Sequence, residues 1–155
     1  MKITQFPKHK SHIPKCFIIN AQGKTLGRLA TLASKLLIGK ETSFFTSGVD
    51  QGNFLVIYNA RSVTVTGKKD KQKLYYRNSQ RPGSLKIETF SQLRDRIPAR
   101  LIEKAVWGML PKGILGRQYF RRLYVYSDQS LVQKIKREPM RFELSGSLAF
   151  TSIDL

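Results

Sequence analysis

The chain has 155 residues and carries 28 Lys and Arg against 10 Asp and Glu, a formal net charge of +18, yet 41% of it is hydrophobic, with nine Phe, six Tyr and one Trp. That apolar content excludes wholesale disorder and predicts one packed domain, while the charge calls for a polyanionic partner, nucleic acid ahead of an anionic membrane surface. The single cysteine, Cys16, excludes an intrachain disulfide and a Cys-paired zinc site. No apolar run approaches the roughly 20 residues of a membrane span, and the N-terminus lacks the apolar core of a secretory signal. A soluble, non-exported protein without membrane contact is the expectation.

The charge is placed in blocks. Residues 1–40 carry eight Lys/Arg and no acid, 61–86 carry eight with only Asp70, and 112–141 carry eight against Asp128 and Glu138. Residues 1–15, with Pro7 and Pro14, read as a basic arm that gains order only against a partner. Phe17 to Ile19 form a short apolar strand that turns at Asn20 to Gly23. From an N-cap at Thr25, Leu26, Leu29, Ala30, Ala33, Leu36 and Leu37 recur at helical spacing, with Arg28 and Lys35 off that stripe and Gly39 closing the helix.

Phe54 to Tyr58 is a continuous apolar run, as in a parallel strand buried on both faces. Val63 to Thr66 alternates like a strand, and Lys68, Lys69, Lys71 and Lys73 form a basic loop leading to a strand at Leu74 to Tyr76. Arg81-Pro82-Gly83 marks a turn, so Arg77, Arg81 and Lys86 are expected on an exposed loop. A short helix is expected at about 88–96. Pro98 opens another, striped by Leu101, Ile102, Ala105, Val106 and Met109 and ended by Pro111. Lys112 to Arg117 reads as a glycine-punctuated basic loop, followed by Tyr119-Phe120-Arg121-Arg122, a strand at Leu123 to Tyr126 and a polar tail from 127. This order implies an α/β domain with a largely parallel sheet.

Enzyme signatures are missing. There is no phosphate loop, dinucleotide fingerprint, nucleophile elbow or metalloprotease helix. Gly23-Lys24-Thr25 looks like the end of a phosphate loop, but Ile18 stands where its first glycine belongs. His9, His12 and Cys16 offer three ligands on a basic arm without a fourth, so no metal or other cofactor is expected. The acids are too dispersed for paired-carboxylate chemistry. The positive signal is basic sequence interleaved with aromatics: Lys68 to Lys73 beside Tyr75 and Tyr76, and Arg121 and Arg122 beside Tyr119 and Phe120. Ordinary core packing accounts for most such aromatics.

Several motifs in order, Gly23-Lys24-Thr25-Leu26-Gly27-Arg28-Leu29-Ala30, Thr66-Gly67-Lys68-Lys69, Arg81-Pro82-Gly83 and Ala105-Val106-Trp107-Gly108-Met109-Leu110-Pro111-Lys112, resemble the bacterial-type large-subunit ribosomal protein thirteen family. The resemblance covers about residues 16–126, and Leu85 to Phe90 with Arg96-Ile97-Pro98 looks most like the plastid and cyanobacterial branch. Cys16, Asn20 and Asn78 depart from the family pattern, as does the segment after Tyr126. The resemblance implies a three-layer α/β/α domain with a four-stranded, largely parallel sheet, no enzyme activity, and binding to large-subunit ribosomal RNA among neighbouring ribosomal proteins.

The reading is therefore a basic arm (1–15), an α/β ribosomal RNA-binding domain (16–126) and a divergent C-terminal extension (127–155), in a ribosome of a plastid or otherwise of a bacterial cytoplasm. No small-molecule substrate is expected. The RNA-binding candidates are Lys24, Arg28, Lys68, Lys69, Lys71, Arg77, Arg81, Lys86, Lys112, Arg117, Arg121 and Arg122. The rivals are a small RNA-processing enzyme, which would depend on acids such as Asp50, Asp95 and Glu103, and a messenger RNA-binding regulator.

Overall fold

The computed structural model describes residues 14–43 and 45–128, and the backbone of a strand at 149–153. Strand β1 (Lys15–Asn20) leads through a turn at Gly23 into helix α1 (Leu26–Ile38). The apolar stripe of α1 is buried, and the helix stops where Gly39 adopts a left-handed φ of 79° and donates its N–H to the carbonyls of Leu36 and Lys35. Gly39 is needed twice over, because a Cβ there would lie 2.2 Å from Gln51 Oε1. Strand β2 (Phe54–Tyr58) then pairs parallel with β1, Phe17 opposite Leu55 and Ile19 opposite Ile57.

Buried Asn53 fastens these pieces together. Its Oδ1 accepts from Lys15 N at 3.2 Å, and its Nδ2 donates to Leu36 O at 3.1 Å. A short 3-10 turn (Ala60–Ser62) follows. Val63 to Thr66 is not the strand expected from its alternation: only Thr64 pairs, in an isolated bridge to Thr25, and buried Val63 plugs the core instead.

The expected basic loop at 68–73 contains a single helical turn, α2 (Lys69–Gln72), and its strand β3 (Leu74–Arg77) belongs to a different sheet from β1 and β2. It forms an antiparallel hairpin with β4 (Lys86–Thr89), a strand that sequence reading missed. Arg77 and Lys86 therefore sit on paired strands, with only Arg81 in the turn. Helix α3 (Phe90–Arg96) starts with a capping box in which Thr89 and Gln92 bond each other's backbone.

Helix α4 (Pro98–Met109) buries Leu101, Ile102 and Val106, whereas Met109 of the expected stripe is exposed and Leu110 takes the inward place. The expected loop after Pro111 is helix α5 (Ile114–Arg121) with Gly113 as its N-cap, followed by strand β5 (Leu123–Val125). β5 adds parallel to β2. Within 16–126 the main sheet thus has three strands, not the expected four, because Val63–Thr66 and Leu74–Tyr76 stay out of it. A strand at Ala149–Ile153 (β6), from the segment read as an irregular tail, lies parallel to β1 on its other edge, giving the order β5-β2-β1-β6.

Alternation along the strands turns Phe17, Ile19, Leu55 and Ile57 to one face. There they join residues of all four longer helices, such as Leu36, Phe90, Ile102 and Tyr119, in one contiguous core. The steps from β1 to β2 and from β2 to β5 cross the sheet in the same direction, so right-handed crossovers put both sets of helices on the same side. Cys16 and Val56 are buried on the opposite face, and burial pushes the Cys16 thiol pKa up.

Candidate nucleic-acid interface

Helices α1 and α4 pack along each other, and α2 with the link to β3 rises beside them. Between these elements runs an open groove of about 1180 Å³. Five cations line it: Arg28 and Lys35 from α1, Lys69 from α2, Lys73 from the link and Lys104 from α4; the one acid in its lining is Glu41. Arg28 and Lys35 are seven residues apart and so project from one side of α1, two turns apart. Among the described residues none of the five has a carboxylate oxygen within 4 Å, for the ion pairs involve other side chains.

Tyr75 closes one end of this arrangement. Its ring lies 5.7 Å from Lys73 Nζ and 5.3 Å from Lys104 Nζ, so one aromatic face system holds two ammonium groups in place. Partial burial also raises the Tyr75 hydroxyl pKa above its ordinary value.

Of the sequence candidates, the groove gathers Arg28 and Lys69, with Lys24 on a shallower hollow on another side of Arg28. Lys68 and Lys71 flank the α2 turn on its outer side. Arg77, Arg81 and Lys86 are exposed on the hairpin, and Arg117 and Arg121 are exposed on α5. Lys112 is anchored at the α4–α5 junction, where Nζ donates to Trp107 O at 3.0 Å and sits 5.3 Å from that indole ring. Arg122 differs from the others: it grips buried Asp50 through both guanidinium nitrogens and lies over Phe54. Its charge is answered inside the fold.

Lys35 and Lys104 were missed, and Lys73, although part of the basic run beside Tyr75 that gave the positive signal, was left out of the candidates. The seven-residue spacing of Lys35 from Arg28 was a usable signal, whereas Lys104 joins Lys73 only through tertiary packing. The acids of the enzyme rival do not converge, because Asp50 pairs with Arg122, Asp95 is exposed beside Arg94, and Glu103 is on α4. No group of three metal-ligating side chains occurs among the described residues; His9 and His12 lie outside them.

Cations gathered without matching carboxylates on a rigid α/β frame have the chemistry of a surface for polyanions. Residues 14–131 match the family model of ribosomal protein L13. The chain is 50% identical over 124 residues to a large ribosomal subunit protein uL13 of Picosynechococcus sp., covering 80% of this chain and 82% of that one. It is 53% identical over 110 residues to the uL13 of Prochlorococcus marinus, covering 71% and 73%, and 48% identical over 148 residues to that of a Synechococcus strain, covering 95% and 99%. The chain belongs to the ribosomal protein L13 family, a family of structural, non-enzymatic proteins, and to its cyanobacterial-like branch.

Proposed function

We propose that this protein is a structural constituent of the large ribosomal subunit that binds large-subunit ribosomal RNA, contacts neighbouring ribosomal proteins and supports assembly of the particle. The observation that carries the RNA contact is the groove: five cations from several elements around one open channel, where among the described residues Glu41 is the one acid of the lining and none of the five is in an ion pair. Phosphates that replace small counterions there gain the entropy of counterion release, and the packed sheet keeps the cations at fixed spacing. Lys24, Lys68, Lys71, Arg77, Arg81, Lys86, Lys112, Arg117 and Arg121 extend this surface to further RNA segments; Arg122 supports the fold beneath it.

Residues 1–15 act as a basic arm, 16–126 as the RNA-binding domain and 127–155 as an extension. Cyanobacterial relatives support a ribosome of a plastid, with a bacterial cytoplasm as the alternative.

Sedimentation of an organelle or cell lysate tests the whole reading: the protein should travel in stoichiometric amount with large subunits through a high-salt gradient. Confinement to light fractions would sink it. The groove is tested by replacing Arg28, Lys69, Lys73 and Lys104 together with Gln. Each phosphate contact contributes roughly 0.7–0.9 to the slope of log K against log salt, so that slope should fall by about 3.

A further inference from the structure

The groove between α1 and α4 offers more than charge. Helix α4 lines it with Lys104, Ala105, Gly108 and Met109, residues one and four apart that share one face of a helix. Met109 is the informative member. The apolar stripe of α4 should bury it, yet it is 44% exposed on the groove, where the Thr31 hydroxyl of α1 reaches its Sδ at 3.6 Å. Beside it Leu32, Val65 and Ala105 are half-buried against the core, so the groove has an apolar floor under a rim of exposed cations.

Two glycines keep that floor open. Gly27 in α1 and Gly108 in α4 both line the groove, neither has a positive φ, and a Cβ on either would meet nothing within 4 Å. The fold therefore does not require glycine at these positions, and alanine would favour both helices. Gly116 of α5 shows the contrast, since a Cβ there would strike the Pro111 carbonyl. Glycine that packing does not need, on two helices facing one channel, suits a ligand that comes close to the backbone.

Charge and shape together select that ligand. Five cations that form no ion pair among the described residues call for repeated phosphates, and the floor calls for a flat apolar surface. A duplex keeps its base faces inside the stack, whereas an unpaired strand displays base faces and phosphates together. An acidic peptide supplies the charge but lacks the flat faces.

We infer that this groove takes an unpaired RNA strand lengthwise, with phosphates on the cationic rim, a base lying against Met109 and the strand passing close to Gly27 and Gly108. The inference rests on the RNA-binding reading above and deepens it by naming the form of RNA that the groove selects.

The test is fluorescence anisotropy of the full chain at physiological salt with labelled probes: a short oligouridylate, an RNA duplex of equal length and an oligoglutamate of equal charge. Gly108→Gln fills the open space without adding charge, and Met109→Ala removes the apolar contact. Each should weaken oligouridylate binding roughly tenfold and leave duplex binding within about twofold, since both features serve only the unpaired strand. The urea midpoint of Gly108→Gln should equal or exceed that of the natural chain. An oligouridylate loss below about threefold for either variant, an equal or larger loss on the duplex, or a lowered midpoint for Gly108→Gln would overturn the inference. Oligoglutamate bound as tightly as oligouridylate would overturn it in favour of an acidic protein partner. Failure of the natural chain to bind either RNA would instead overturn the parent reading.

Discussion

Arg122 and Arg77 each adjoin a strand, yet they stand in opposite electrostatic surroundings. Arg122, at the end of α5, meets a carboxylate that is 3% exposed and donates to Asp50 Oδ1 at 2.6 Å. Arg77 faces Lys86 in the open, on a hairpin whose outer side is apolar. The same guanidinium group fastens the fold in the first region and leaves the second with unspent positive charge. Where this protein matches charge internally it is building structure, and where it leaves charge unmatched lies the surface we propose for RNA.

The largest expected effect comes from breaking the matched pair. Arg122→Leu leaves Asp50 buried with the Gly52 N–H, which donates at 2.9 Å, but without its guanidinium. Loss of one partner of a buried pair costs about 3–5 kcal/mol, so the urea midpoint should drop sharply while RNA affinity per folded molecule changes little. A comparable loss of RNA affinity in the folded fraction would erase the distinction between the two arginines.

A smaller effect separates backbone fit from charge in the same packed region. Gly116 lies in α5 where a Cβ would sit 1.7 Å from Pro111 O, inside any tolerable contact with backbone. Gly116→Ala should cost about 2 kcal/mol, read from the same unfolding curve, as α5 shifts away from the α4 end. Stability equal to the natural chain would show that the α4–α5 junction yields freely.

The smallest effect has the opposite sign. Arg77→Glu turns a like-charge cross-strand pair into an ion pair with Lys86 and should raise stability by a few tenths of a kcal/mol, while weakening RNA binding. A destabilised variant would mean that Arg77 already serves the fold and would collapse the contrast with Arg122.

Much of the packed region was legible because its physics is local. The helical spacing from Leu26 to Leu37 with Gly39 behind it, and the unbroken run Phe54 to Tyr58, each admit one reading. The hairpin was not legible because a strand's partner is a tertiary choice. Leu74 to Tyr76 suits either sheet, and nothing in Lys86 to Thr89 announces that it turns back to pair there. Helix α5 was hidden by Gly113 and Gly116, which look like loop residues, although one caps the helix and the other makes room for the Pro111 carbonyl. The candidate cations were partly visible as clusters in sequence, as with Lys68, Lys69 and Lys71. Lys104 was invisible, since only the packing of α4 brings it beside Lys73 and Tyr75.

The chain's one tryptophan occupies an informative place. Trp107 is half-buried near the end of α4, edge-on to Phe120 of α5 at 5.1 Å and beneath the Lys112 ammonium. Its indole therefore senses two elements and a candidate phosphate ligand at once, and its emission depends on the geometry of that junction. The molecule carries an intrinsic optical gauge at the α4–α5 corner: separation of the two helices moves the indole into water and shifts its fluorescence to the red, with no label attached.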